Sequence, residues 1–300
     1  MNLSYFRPAS FGGFTYSIDN LILKGSFHPE VVFDQVFHGS PWTIPFLNGF
    51  SMLLHELDSD LIAHHFDSDR FMAYRDMWQI ELADGGVVRC MFRFNSYHSE
   101  DSTRWKIIFN PNKCLPCPAL ERIIRFCVDN SSLPYVGGFD LAVDIPRQRS
   151  DFLLIKDSRK YQLFMNSAED RTEYLGQRGH MGFVKLYNKQ IESKLPFPLT
   201  RLEISAVMDS REDVFSFSAF MAAVPELYCL DGGQQVMDDL ALNGTDRALL
   251  EYAIISPTML CMLPQIKRAK IRSLLADRFR RIKLDQSTVF DLYKWISEVI

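Results

Sequence analysis

GHMGFVKLYNKQ, Gly179 to Gln190, alternates polar and apolar side chains and reads as a β-strand closed by glycines. FDLAVDIP (Phe139 to Pro146) before it and LTRLEIS (Leu199 to Ser205) after it read the same way. On a strand, residues two apart share a face. Lys185, Tyr187 and Lys189 therefore lie opposite Val184 and Leu186. Asp140 and Asp144 lie opposite Leu141, Val143 and Ile145, and Arg201 and Glu203 lie opposite Leu202 and Ile204. If the three strands share a sheet with their apolar faces on one core, the other face collects three carboxylates, a tyrosine and three cations. That is the composition of a site rather than of a core.

Outward from this stretch, strands dominate. Thr15 to Gly25 reads as a strand, Leu47 to His65 holds a helix, and Met77 to Phe94 is a hairpin turned at Ala83-Asp84-Gly85-Gly86. Thr103 to Lys113 is a strand broken at Asn110-Pro111-Asn112, and Pro118 to Asp129 is a helix with Leu120, Ile123, Ile124 and Cys127 on one stripe. Further strands fall near Lys160 to Met165 and Arg171 to Leu175. The expected fold is α+β: a mainly antiparallel sheet of two similar halves, about 13–134 and 135–210, with helices on one face. Past a polar boundary at Asp209 to Asp213 the pattern turns helical, at Ser216 to Cys229, Gln234 to Leu242 and Asp246 to Ile255 capped by Thr245. A last helix, capped by Asp285 or Ser287, runs towards Ile300.

With 300 residues, 47% hydrophobic and 23% charged, the chain can bury a large core as one domain or one domain with an appendage. No apolar run approaches the roughly 20 residues of a membrane helix. The start MNLSYFRPAS lacks a signal-peptide layout, so a cytoplasmic protein without membrane contact is expected. The six cysteines are too sparse for a disulfide scaffold, and Cys114-Leu-Pro-Cys117, with no second metal-spaced pair, reads as a turn before a helix. The net charge of −4 argues against a coat for nucleic acid. Its distribution differs: Lys267, Arg268, Lys270, Arg272, Arg278, Arg280, Arg281 and Lys283 face only Asp277 between positions 267 and 283. Ile266, Leu274, Leu275, Phe279 and Ile282 recur there at helical spacing, giving an amphipathic helix whose basic face is either solvated or bound to nucleic acid.

Carboxylates converging on a sheet face suit Mg²⁺ or Mn²⁺, which prefer oxygen donors. A tyrosine, with a free pKa near ~10, becomes a nucleophile only where a cation or metal stabilises its phenolate, and Lys185 and Lys189 share the face of Tyr187. Singly, Asp144 ends a strand, Glu203 pairs with Arg201 and Tyr187 is half-buried; the three strands together favour metal-assisted phosphoryl transfer. The histidines show no ligand spacing, and GxSxG, P-loop and GxGxxG patterns are missing, which disfavours serine hydrolases and nucleotide-driven ATPases.

The order FNPNK (Phe109 to Lys113), DLAVD (Asp140 to Asp144), EYLGQR (Glu173 to Arg178), VKLYNKQIE (Val184 to Glu192) and RLEI (Arg201 to Ile204) resembles the trans-acting rolling-circle replication initiators of plasmids and phages and the related relaxases. The resemblance covers about 18–204. It implies that Tyr187 attacks a DNA phosphate to leave a 5′-phosphotyrosine and a primer 3′-hydroxyl. It further implies that Asp140, Asp144 and Glu203 hold the metal and that Lys189 and Arg201 contact phosphate. Region 1–210 would be the nicking domain and 211–300 a helical region binding DNA, with Lys185 and the basic run as contacts. Origin DNA, single-stranded or as cruciform or supercoiled duplex, is the implied partner, with host helicase and polymerase downstream and a homodimer as a common assembly. The alternatives are a relaxase with the same chemistry, a DNA-binding initiator without the reaction, and a nuclease that uses water.

Overall fold

The computed structural model describes residues 7–28, 45–67, 76–93, 104–167, 169–208, 216–230, 242–255, 260 and 263–299. The first half runs β1 (Ala9–Phe11), β2 (Phe14–Ser26), α1 (Pro45–Glu56), β3 (Leu61–Asp67), β4 (Asp76–Leu82), β5 (Val87–Arg93), β6 (Arg104–Phe109), α2 (Pro111–Cys114) and α3 (Pro118–Asp129). The second runs β7 (Tyr135–Ile145), a 3-10 turn (Arg149–Asp151), β8 (Phe152–Ile155), β9 (Tyr161–Met165), β10 (Arg171–Leu175), β11 (Val184–Asn188), α4 (Lys189–Ser193) and β12 (Thr200–Val207). After it come α5 (Phe217–Ala222), β13 (Glu226–Cys229), α6 (Gly244–Ile255), α7 (Gln265–Arg278), β14 (Arg280–Arg281) and α8 (Gln286–Ser297).

The fold is α+β, built on an eleven-stranded antiparallel sheet ordered β3-β4-β5-β6-β2-β7-β12-β11-β10-β9, with β1 added against β2. Each half is a five-stranded unit whose first strand, β2 or β7, lies beside its last, β6 or β12. Because β2 and β7 pair antiparallel, the two units are related in topology by a two-fold at the middle of the sheet. One face is covered. Phe46, Phe50, Leu53 and Leu54 of α1 and Leu120, Ile123, Ile124 and Cys127 of α3 are buried with the inward side chains of the strands. Phe27, Phe46, Phe50 and Phe92 form a ring cluster with centroids 4.4–6.1 Å apart. A second core lies between β8, β13, α6 and α7.

Beneath the second half sits a buried ion pair that alternation did not announce. Arg149, fully buried, pairs with Glu173 of β10, which also accepts a 2.6 Å hydrogen bond from the Tyr161 hydroxyl. Burial lowers the Arg149 pKa to about 10. The pair ties the turn before β8 to the main sheet.

Several local expectations change. The 179–190 stretch is a strand only over Val184–Asn188. Before it, Gly176, Gly179 and Gly182 take φ of 90°, 85° and 75°, and a Cβ on Gly182 would meet the Ala223 Cβ at 2.8 Å. Lys189 opens α4, because the Asn188 side chain caps the N–H of Ile191. The helix expected within Leu47 to His65 runs over Pro45–Glu56, and His64 and His65 lie on β3. The 216–229 helix ends at Ala222, since Pro225 cannot continue it, and Glu226–Cys229 is a strand. Asn243 rather than Thr245 caps α6, accepting from the Asp246 N–H at 2.8 Å, whereas Asp285 caps α8 as expected. The basic helix stops at Arg278, where Phe279 turns extended and buried, and Ile266, expected on its apolar face, is 83% exposed.

The C-terminal region is mainly helical, as expected, with two short strands added. Strands β13 and β14 join β8 in a three-stranded sheet, while Val289, Leu292, Ile296 and Val299 complete the first core. The expected boundary at 209–213 and most of the 234–242 helix lie outside the described residues. No helix among the described residues is long and apolar enough to cross a membrane.

Candidate functional site

The open face of the second half holds the site, and strand register decides who meets whom. Tyr187 faces Arg201, which faces Asp144; Lys185 faces Glu203, which faces Ala142; Ser205 faces Asp140. In β2 a register shift between Ile18 and Asn20 turns two consecutive residues to this side, so Asp19 reaches Arg201 while Asn20 reaches Asp140. The polar residues sort into two clefts.

The first, about 840 Å³, has Asp140, Glu203, Lys185 and Ser205 in its floor and Lys106, Lys160 and Arg178 around it. Tyr187 lies beside this floor, only 4% exposed, and its hydroxyl donates to Glu203 Oε1 at 2.6 Å. Lys185 Nζ stands 3.7 Å from the Tyr187 ring centroid and 3.8 Å from Glu203 Oε2. Burial, reinforced by the Glu203 charge, raises the phenol far above its ordinary value. Desolvation also raises Glu203, against the pull of Lys185. Asp140 is raised by the same cause, although Ser205 and Asn20 hydrogen-bond to it, Asn20 Nδ2 at 3.1 Å. The phenol thus keeps its proton and offers it to a carboxylate poorly compensated for its burial.

The second cleft, about 520 Å³, contains Asp19, Asp144, Arg201, Lys189 and Glu192 beside Asn110 and Asn112 of the FNPNK segment. Its charges answer one another. Arg201 grips Asp144 with two hydrogen bonds, Nε to Oδ1 at 2.6 Å and Nη2 to Oδ2 at 2.7 Å, and reaches Asp19 Oδ1 with Nη1 at 2.9 Å. Asn110 Nδ2 donates to the same Asp19 oxygen at 2.9 Å. Burial opposes the Arg201 charge, yet the hydrogen bonds and field of Asp144 outweigh it and hold the guanidinium firmly ionised. Lys189 is paired with Glu192, with its Nζ 5.8 Å from the Tyr187 ring centroid.

The three carboxylates expected to hold a metal are therefore divided: Asp140 and Glu203 share the first cleft, while Asp144 belongs to Arg201 in the second. Among the described residues no three His, Cys, Asp or Glu side chains gather as a metal-binding group. What the first cleft offers is two partly desolvated carboxylates with the Ser205 hydroxyl nearby, oxygen donors of the kind Mg²⁺ or Mn²⁺ prefers, while Asn20 turns its Nδ2 to Asp140. Arg201, expected on phosphate, is 8% exposed and clamped between two aspartates. Asp19, Lys106, Lys160 and Arg178 were not anticipated, although Asp19 shares the parity of Thr15 and Ser17; the β2 bulge adds Asn20 to the same face.

The basic run does not form one face. Lys267, Arg268, Lys270 and Arg272 are exposed on α7, Arg278 is half-buried at its end, Arg280 and Arg281 are exposed on edge strand β14, and Lys283 is exposed after it. Lys270 pairs with Asp246 at 3.2 Å and Arg272 with Glu226 at 3.3 Å. Cys114 ends α2, and Cys117 is the residue before α3.

No family model matches the chain, and no curated protein matches it in sequence. Among solved structures, the rolling circle replication initiator protein from Geobacillus stearothermophilus is similar to 95% of this chain over 97% of its own, at 11% identity and a TM-score of 0.36.

Proposed function

We propose that the protein is a rolling-circle replication initiator that nicks origin DNA by transesterification at Tyr187. The observation that carries this reading is the Tyr187 hydroxyl donating to the half-buried Glu203 carboxylate beneath Lys185. Tyr187 Oη attacks the scissile phosphorus as its proton passes to Glu203 Oε1. The P–O3′ bond breaks, the 5′-phosphate remains on Tyr187, and the departing 3′-oxygen takes a proton from water to become the primer hydroxyl. Asp140 and Glu203 would hold Mg²⁺ or Mn²⁺, which supplies Lewis-acid polarisation of a non-bridging phosphate oxygen. Lys185, on its flexible stem, leaves the phenol ring to meet the incoming phosphate and offset its developing charge. Arg201 acts as the clamp that fixes β2, β7 and β12 under Tyr187. The exposed cations of α7 and β14 contact origin duplex phosphates.

The burial of Tyr187 favours one rival, a DNA-binding initiator that keeps this fold and lacks the reaction. The two separate on a supercoiled plasmid carrying the protein's own gene and flanks, incubated with Mg²⁺ or Mn²⁺ and run on denaturing gels. Covalent protein–DNA adduct is expected from the parent chain and is lost in Tyr187→Phe, with nicking down by at least about 10³-fold. Binding without nicking in the parent chain would establish the rival, and nicking without adduct would point to a nuclease that uses water.

A further inference from the structure

The first cleft continues past Glu203 into a shelf of aromatic rings that the nicking chemistry does not use. Gln162 and Phe164 of β9 lie on the open face, because Gln162 pairs with Tyr174 and Tyr174 with Lys185. Phe164 is 63% exposed and meets Tyr174 edge-on, with centroids 5.8 Å apart and an interplanar angle of 86°. Tyr174 in turn stacks on Phe183, at 5.7 Å and 17°. The rings run from the outer strand of the sheet towards the glycine loop before β11. All three border the same cleft as Lys160, Arg178 and Lys185. An exposed phenylalanine on the solvent side of a strand contributes nothing to the core below, and a lone one would need no explanation. A row of rings flanked by cations has a specific complement: a strand whose bases present flat π-faces and whose backbone carries a negative charge at every step. Duplex DNA keeps its bases stacked on one another, so only an unpaired segment can use such a shelf.

We infer that this shelf is a single-strand subsite in which bases adjoining the scissile phosphate stack on Phe164 and Tyr174 while Lys160 and Arg178 follow the backbone. The subsite rests on the nicking reading for its position next to the reacting phosphate, but its binding can be measured without any reaction.

The test measures binding of the full chain to a short single-stranded oligonucleotide bearing a fluorescent purine analogue, and to a duplex of the same length. In the parent chain and in Tyr187→Phe alike, the analogue's emission is quenched on binding. Phe164→Ala weakens single-strand binding about 10-fold, relieves the quenching and leaves duplex affinity unchanged, whereas Phe164→Trp restores both. Equal single-strand affinity in Phe164→Ala, or equal losses for single strand and duplex, overturns the subsite. A parent chain that forms no adduct yet loses single-strand binding through Phe164→Ala would sink the nicking reaction while leaving the subsite standing.

Discussion

The two clefts draw the same residue types from β2, β7 and β12, with Lys185 of β11 in the first and Lys189 and Glu192 of α4 in the second, yet their charges stand in opposite conditions. In the second, the Arg201 guanidinium answers Asp144 and Asp19, and Lys189 answers Glu192. In the first, Asp140 and Glu203 are half-buried with incomplete compensation, so both carboxyls are pushed up, and the Tyr187 hydroxyl donates to one of them. A satisfied network holds strands together; an unsatisfied one has affinity left for a proton, a cation or a phosphate. The difference separates what organises the face from what reacts on it.

Breaking the first cleft has the larger effect on chemistry. Glu203→Gln keeps the size and a hydrogen-bonding oxygen but cannot take a proton, so nicking falls about 10²- to 10⁴-fold with DNA binding retained. The proposed reaction needs Glu203 ionised, and its pKa is raised from 4.5, so the rate in the parent chain is expected to decline as pH falls through that raised value. The variant lacks this acidic limb. Stability runs the other way. A carboxyl whose folded pKa is raised favours the fold while protonated and loses that contribution as pH rises through the folded pKa. At neutral pH Glu203→Gln therefore unfolds at higher denaturant than the parent, and the gap closes below about 4.5, the ordinary glutamate value. A pH profile with the same acidic limb in both proteins would remove Glu203 as the proton acceptor.

Breaking the second cleft is expected to damage stability first. Arg201→Ala leaves Asp144 and Asp19 facing each other without their cation. The cost is about 3 kcal/mol, the low end for a broken buried pair, because the aspartates keep 17% and 26% side-chain exposure. Urea unfolding measures it. Arg201→Lys recovers part of the loss, since a lysine keeps the charge without the planar fork. If Arg201→Ala abolished nicking with an unchanged unfolding midpoint, Arg201 would belong to the phosphate rather than to the scaffold.

Alternation made much of this face legible. It identified β7, β11 and β12 and placed Tyr187, Glu203, Asp140 and Asp144 on one side. It fixes which way a side chain points, however, and says nothing of which strand lies alongside or in what register. That is why Glu203 came with Arg201 in the sequence reading, whereas the sheet pairs it with Lys185 and gives Arg201 to Asp144. Asp19 shares the parity of Thr15 and Ser17, and the bulge in β2 then changes parity so that Asn20 follows it onto the same face, which a single alternation along the strand does not show. Glu173 obeyed the alternation but faces inward, where its partner Arg149 lies 24 residues away in sequence. Ionic burial of that kind leaves no periodic trace.

The smallest expected effect is also the sharpest test of the division, because it concerns two lysines that the sequence treats as equivalent. Lys185 and Lys189 flank Tyr187 at the same spacing, but the strand ends at Asn188 and the chain turns into α4 between them. Lys185 stays over the ring and within 3.8 Å of Glu203; Lys189 is carried to the second cleft and pairs with Glu192. Removing Lys185 deprives the phosphate of its nearest flexible cation, so Lys185→Ala lowers the single-turnover nicking rate about 10-fold or more. Removing Lys189 breaks a near-neighbour pair with an exposed glutamate, so Lys189→Ala changes stability by less than about 1 kcal/mol and the nicking rate by less than about 3-fold. Equal losses in the two variants would mean that the clefts act as one site around Tyr187. A larger loss in Lys189→Ala would move the scissile phosphate to the side of Asp144 and Arg201, and with it the assignment of scaffold and reacting groups.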